Sequence, residues 1–355
     1  MTEIKNGLFI NDHVKPQMPW KPTRSDRLKS LLLVALSALI TFLIIQSTPL
    51  KGKLAYFLLF VTLTTLITSL VSGFRSGKKA ISDSFISSLA ITAAVIVFMP
   101  VASILSKTII EGSKGFHKSL FTDSMAKASI TDPISMGGIL HSIIGTILLV
   151  ALASIISVPL SIMTALYLTE IKGRASTFIQ FIVQAMSGIP SIVSGIFIYA
   201  AILVNTSLRG SAVIGALALS ILMIPTVTRT SQEVLKLIPN ELREAGLALG
   251  ATQWKTVSLI VIPAARSGLV TAFILGVARI AGETAPLLFT IGASDVLNLN
   301  PFNGANSALP YYTWRALTGG TPESMQRAWT AILVLLIIVL ALFTTARSIS
   351  RRRIS

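Results

Sequence analysis

The 355-residue chain is 52% hydrophobic but only 12% charged, with a mean hydropathy of +0.77 and a formal net charge of +16. Soluble domains carry about a quarter charged residues, and several apolar runs here exceed the ~20 residues that cross a bilayer, so a soluble protein is excluded. With no cysteine there is neither a disulfide framework nor thiolate chemistry, and His13, His117 and His141 lie too far apart in sequence for metal-ligand spacing.

In chain order, windows of about 19 residues predict eight transmembrane helices. They cover Leu28–Gln46, Leu54–Ser72, Ser84–Leu105, Gly138–Leu168, Thr177–Val204, Ser211–Arg229, Ser258–Ala281 and Arg327–Ala346. The first apolar run starts at Leu31 behind a polar stretch with no A-x-A site after it, which reads as a retained anchor and not a cleaved signal peptide. Lys and Arg are more than twice as numerous in the loops that share a side with the two termini. That bias and the even number of spans place both termini in the cytoplasm.

The resulting organisation is a basic cytoplasmic tail (1–27), two transmembrane helices (28–79), a main transmembrane domain (80–347) and a second basic tail (348–355). The tails are spread-out charge, suited to fixing topology beside membrane lipid, and no nucleic acid is expected as a partner. The extracytoplasmic stretch Ser106–Gly137 is expected to be irregular. A second one, Gly282–Gln326, carries Pro301, Gly304, Pro310, Gly319, Gly320 and Pro322 as breakers, with Tyr311, Tyr312 and Trp314 expected at the lipid interface or a docking partner. Pro190, in Gly188-Ile-Pro-Ser191, is expected to kink the fifth span, as a hinge or as static packing. Gly73-Phe-Arg-Ser-Gly-Lys-Lys79 has the wrong spacing for a phosphate loop and lacks its Ser/Thr, so nucleotide hydrolysis has no home in this chain.

The cytoplasmic loop 230–257 is the most informative segment. Asn240 is a good N-cap, Glu241 and Glu244 fit the first turn, and Gly250 is a stop, so a short helix is predicted. Leu242, Ala245, Gly246 and Leu249 recur at spacings of three and four and form one small apolar face. That face suits either close approach of another protein or packing on the chain's own bundle.

Glu244-Ala-Gly246, then Gly250, then Ile260-Val-Ile-Pro263 resembles the E-A-A-x3-G-x9-I-x-L-P loop of ABC importer permeases, with Gly246 and Ile262 departing from the consensus Ala and Leu. Ala248–Trp254, Pro263–Gly268 and Arg279-Ile-Ala-Gly-Glu-Thr-Ala-Pro-Leu-Leu-Phe-Thr290 are similar, more narrowly, to the PstA family of phosphate importer permeases, as are Ala165-Leu-Tyr-Leu-Thr-Glu170 and Gly188–Val193. The resemblance spans about Ser84 to Arg347 and implies an all-α type I permease bundle of about six core spans, with two extra N-terminal spans that it does not explain. It further implies a non-catalytic subunit in a bacterial cytoplasmic membrane, without cofactor or metal. The implied partners are a PstC-like permease, two copies of a PstB-like ATPase, a PstS-like phosphate-binding protein and inorganic phosphate. Leu242, Glu244, Ala245, Gly246, Leu249 and Gly250 would then couple to the ATPase. The alternatives are a PstC-like subunit or a permease for another oxyanion such as phosphonate or molybdate. An intramembrane enzyme finds few deep ionisable groups, and a passive channel has no use for the loop.

Arg279 and Glu283, four apart near the expected extracytoplasmic end of the seventh span, would share one helical face. An intramembrane Arg is costly enough to need a partner or a wet cavity, and its planar fork matches phosphate oxygens. The pair is expected to line the substrate pathway, or else to form a permanent ion pair that clamps subunits together. Gly282 and Pro286 weaken the helix beside it.

Overall fold

A computed structural model describes residues 24–48 and 52–351. The tail ahead of Arg24, with His13, the linker residue Lys51 and the terminal Arg352 and Arg353 lie outside the described residues. Among the described residues the chain is helical, without strands. The elements are α1 (Arg24–Ser47), α2 (Lys53–Ser76), α3 (Lys78–Ser113), a 3-10 turn (Lys118–Phe121), α4 (Leu140–Leu166), α5 (Ser176–Ser187), α6 (Ser191–Ile198), α7 (Ala212–Lys236), α8 (Asn240–Ala248), α9 (Gln253–Thr256), α10 (Ile262–Ala281), α11 (Leu287–Thr290), α12 (Leu309–Thr318) and α13 (Pro322–Arg351). Single π-helical turns follow α4 (Tyr167–Ile171), follow α6 (Tyr199–Val204) and precede α10 (Val257–Val261).

Seven helices are long and apolar enough to cross a membrane, and α5 with the α6 segment makes an eighth if that bent pair is one span. The pair breaks at Gly188–Pro190 and turns through 104°, a far sharper change than the kink expected from Pro190. It still carries the chain from one end of α7 to the other. Gln180 in α5 accepts from Gln232 near the C-terminus of α7 at 3.0 Å, while Gly210, just past the other end of the pair, abuts Gly292 beside the α7 N-terminus. The pair therefore connects opposite faces of the bundle, as a single crossing does.

The chain divides into two compact units, Met1–Ile104 and Leu105–Ser355, a division that falls inside α3. In the first unit α1 packs on α2. Ser37 and Thr41 are buried and turn their hydroxyls onto the helix carbonyls of Leu33 and Ser37, at 2.8 and 2.7 Å, so neither hydroxyl is left unsatisfied.

In the second unit α7 is the central helix, buried along most of its length by small residues such as Ala212, Gly215, Ala216 and Ala218 that let its neighbours approach closely. Leu149 and Ala153 of α4, Leu219 and Met223 of α7, and Ala272 and Ile280 of α10 form its principal core. Ser161 donates to the Ile224 carbonyl across α4 and α7 at 3.1 Å.

The two long stretches expected outside the cytoplasm, 106–137 and 282–326, are more structured than their sequence suggests. α3 runs on to Ser113, and the turns that follow bury Leu120, Met125 and Ile130 against α12 and α13. Arg327, at 3% exposure, donates through Nη2 to the carbonyls of Asp132, Pro133 and Met136 at 3.2, 2.8 and 2.7 Å and so anchors them. Tyr312, expected at the lipid interface or a docking partner, is a core residue at 1% exposure, edge-on to buried His141. Burial pushes its phenol pKa up. Trp314 alone of the three aromatics is exposed.

Candidate functional site

The short helix predicted in the cytoplasmic loop is α8. Pro239 takes the cap position and Asn240 is the first helical residue, its side-chain oxygen accepting from Arg243 Nη1 at 3.3 Å instead of capping the backbone. Gly250 adopts φ +81°, the left-handed region that favours glycine. Its N–H donates to Leu247 O at 2.9 Å and that of Ala251 to Gly246 O at 3.2 Å, the paired bonds of a Schellman stop.

The helix does not present the face expected of it as a whole. Leu242, Glu244, Ala245 and Leu249 are exposed, Leu249 by 89%, together with Leu247. Gly246 instead is buried: a Cβ there would come within 2.7 Å of Ile260 Cδ1 and 3.0 Å of Thr256 Cγ2. Its missing side chain brings α8 onto the chain's own helix, so Gly246 seats the surface and does not belong to it.

Arg243 is held on the inner side. Its Nε and Nη2 donate to the two carboxylate oxygens of Glu170 at 2.9 and 2.8 Å, Nη2 also reaches Leu235 O at 2.9 Å, and Nη1 reaches Ile238 O at 2.6 Å. One guanidinium thus serves the orphan carbonyls at the end of α7 and the acidic residue in the π turn after α4. The hydrogen bond to Glu170 raises the Arg243 pKa further. Gln253 adds a bond from Nε2 to Glu170 O at 2.8 Å. In the sequence Glu170 stands only as the last residue of the Ala165–Glu170 motif. The sole hint of its partnership was an acidic residue closing an otherwise apolar span.

Arg279 and Glu283 are not brought together. α10 ends at Ala281, so Glu283 lies beyond the helix and no longer shares its face; among the described residues no ion pair joins the two. Arg279 is exposed and donates through Nη1 to Thr226 Oγ1 at 3.2 Å. Thr226 stands about 21 Å along α7 from Ala212 at 1.5 Å per residue, so Arg279 is near mid-depth of the bundle and not near the end where α7 begins. The remaining depth is filled by the segment after α10. Gly195 of α6 lets Pro286 sit against the helix, Ser211 N donates to Thr290 O at 3.1 Å, and Leu309 N donates to Thr146 Oγ1 at 2.8 Å. Gly282 and Pro286 do break the helix, and the break turns the chain back into the bundle.

Residues 157–355 match the family model described as "Binding-protein-dependent transport system inner membrane component". The chain belongs to this permease family. Among curated relatives, the "Phosphate transport system permease protein PstA 1" of Mycobacterium tuberculosis (strain ATCC 25618 / H37Rv) is 35% identical over 281 residues, covering 78% of this chain and 91% of the relative. The PstA proteins of Mycobacterium leprae and Haemophilus influenzae are 34% and 36% identical over 79% and 68% of this chain, and over 93% and 84% of their own lengths. A chain of the inward-facing MetNI methionine ABC transporter is 19% identical over 60% of this chain and 93% of its own, with a TM-score of 0.46. By its family and its curated relatives the chain is a permease of the ABC importer type, a multi-pass membrane protein that is helical among the described residues.

Proposed function

We propose that the chain is the PstA-type permease subunit of an ATP-driven importer of inorganic phosphate. The substrate follows from the relatives' names, and the observation that carries the coupling role is the outward face of α8. Leu242, Ala245 and Leu249 form an apolar knob on the surface, with Glu244 beside it, while Arg243 and Gly246 fix the helix from behind. Such a knob fits a cleft in a soluble ATPase, whose closure would push on α8 and alternate access to the pathway.

In this reading hydrolysis belongs to two ATPase subunits, a PstC-like permease completes the pathway and a PstS-like binding protein delivers phosphate from outside. Both termini lie in the cytoplasm of a bacterial cell, residues 80–347 form the translocation domain, and 28–79 add two helices. Arg279 at mid-depth offers phosphate a charged fork in which Nη1 alone is engaged among the described residues, by Thr226. Glu283, beyond the break, is a second charge for the same route.

Reconstitution tests the reading. Proteoliposomes holding this chain, its permease partner and the ATPase should take up labelled phosphate only when ATP is inside and the binding protein outside. Uptake of phosphonate or molybdate in place of phosphate would overturn the substrate assignment.

A further inference from the structure

Behind the outward face of α8, toward the membrane-spanning helices, lies a charged junction with Arg243 at its centre. Glu170 has 5% of its side chain exposed and Arg243 21%, and the two meet through both carboxylate oxygens. The same guanidinium holds Leu235 O and Ile238 O, so α8, the end of α7 and the end of α4 share a single planar group. A bidentate pair fixes angle as well as distance, which a sliding apolar contact does not. The chain on either side of the junction departs from regular helix. Glu170 sits in the π turn Tyr167–Ile171, and α8 rests through Gly246 on Ile260 of the π turn Val257–Val261. Such turns are frequent at functional sites, where they adjust the register of a helix.

We propose that the Glu170–Arg243 pair is the rigid link that carries displacement of α8 into α4 and α7, making both residues positioning residues for transport. The inference rests on the ATP-driven importer reading above. Without the link α8 still docks, but its motion is taken up by the loop Leu237–Pro239 and by the neighbouring π turns, and hydrolysis no longer moves the bundle.

The test uses the complete importer in proteoliposomes, with ATP and labelled inorganic phosphate. Glu170→Gln and Arg243→Gln are each expected to retain the ATPase on the complex and to lower phosphate taken up per ATP hydrolysed about tenfold. The double variant should be no worse than either single one, since both remove the same contact. The natural chain has no cysteine, so Glu170→Cys with Arg243→Cys can be joined by a short bis-methanethiosulfonate cross-linker. Joining should recover coupled uptake, and a reductant should abolish the recovery. Normal uptake per ATP in the single variants overturns the inference, as does loss of the ATPase from either variant, or a cross-linked pair that stays uncoupled. If the unmodified importer moves no phosphate, it is the importer reading that fails.

Discussion

Arg279 reaches Thr226 at 3.2 Å across α10 and α7, two residues before α10 stops at Ala281. The helix break puts this cation at mid-depth, exposed, with Thr226 as its hydrogen-bond partner among the described residues. In the importer reading proposed above, this gives phosphate a guanidinium to bind at that depth. Arg279→Gln is expected to lower phosphate uptake roughly ten- to a hundredfold, the value of a charged hydrogen bond of ~1.5 to 3 kcal/mol. Arg279→Lys, which keeps the charge but loses the fork, should recover part of it. Co-purification with the other subunits should not change, since within the described residues Arg279 makes one hydrogen bond, to Thr226. Wild-type uptake by Arg279→Gln would exclude it from the pathway.

The two sides of α8 should separate stability from docking. Leu249→Asp changes a residue 89% exposed, so the permease should keep its thermal midpoint within the small range of surface changes, about 0.5 kcal/mol. Binding of the ATPase, measured by pull-down, should fall at least about tenfold because a charge would enter an apolar interface. Gly246→Leu should do the reverse of this in origin: the added side chain meets Ile260 and Thr256, lifts the helix and lowers the midpoint. Gly246→Ala should be mild, since the atoms it meets are ends of side chains and a helix gains ~1 kcal/mol from replacing Gly. If Leu249→Asp binds the ATPase normally, the knob lies elsewhere.

What was legible in the sequence was whatever depends on neighbours along the chain. The short loop helix was readable because Glu241, Glu244 and Gly250 are local signals, and Gly250 indeed closes it. The spans were readable because each is a run of apolar residues. Three-dimensional pairing was not. Glu170 and Arg243 are 73 residues apart, and neither has a pattern that names the other. Arg279 and Glu283 looked paired because helical spacing was extended through Gly282, although that residue and Pro286 already signalled a stop. Hydropathy cannot distinguish lipid from protein surroundings, so Tyr312 reads as an aromatic for the lipid interface or a docking partner, whereas its burial depends on turns drawn from residues 118–139. Gly246 fitted an outward face by periodicity, and only the position of Ile260 shows that it points inward.

The returning segment after α10 depends on glycine at Gly195. A Cβ there would lie 2.6 Å from the Pro286 Cα, a backbone atom that cannot rotate away. Gly195→Val should therefore displace the segment Glu283–Thr290 from α6 and destabilise the permease by ~1 to 3 kcal/mol, the usual cost of overpacking. Thermal unfolding in detergent measures this. The same variant should alter phosphate uptake even at low temperature, since the displaced segment adjoins Arg279. An unchanged midpoint would mean that α6 and Pro286 are not packed in the membrane as described.

Arg327 offers the complementary case of a buried charge with a structural task. At 3% exposure it satisfies three carbonyls in the loop Asp132–Met136, and its Nε has no partner among the described residues. Arg327→Met keeps much of the volume but strands those carbonyls, at ~1 to 3 kcal/mol for each that stays dry. The expected outcome is a lower thermal midpoint and faster proteolysis within residues 118–139. Water reaching the loop would limit the loss, so the proteolysis pattern is the sharper measurement. The variant should still bind the ATPase, because α8 lies at the other end of α7 from this loop. Protection equal to that of the natural chain would show that the loop is held by its apolar residues Leu120, Met125 and Ile130, with Arg327 contributing little.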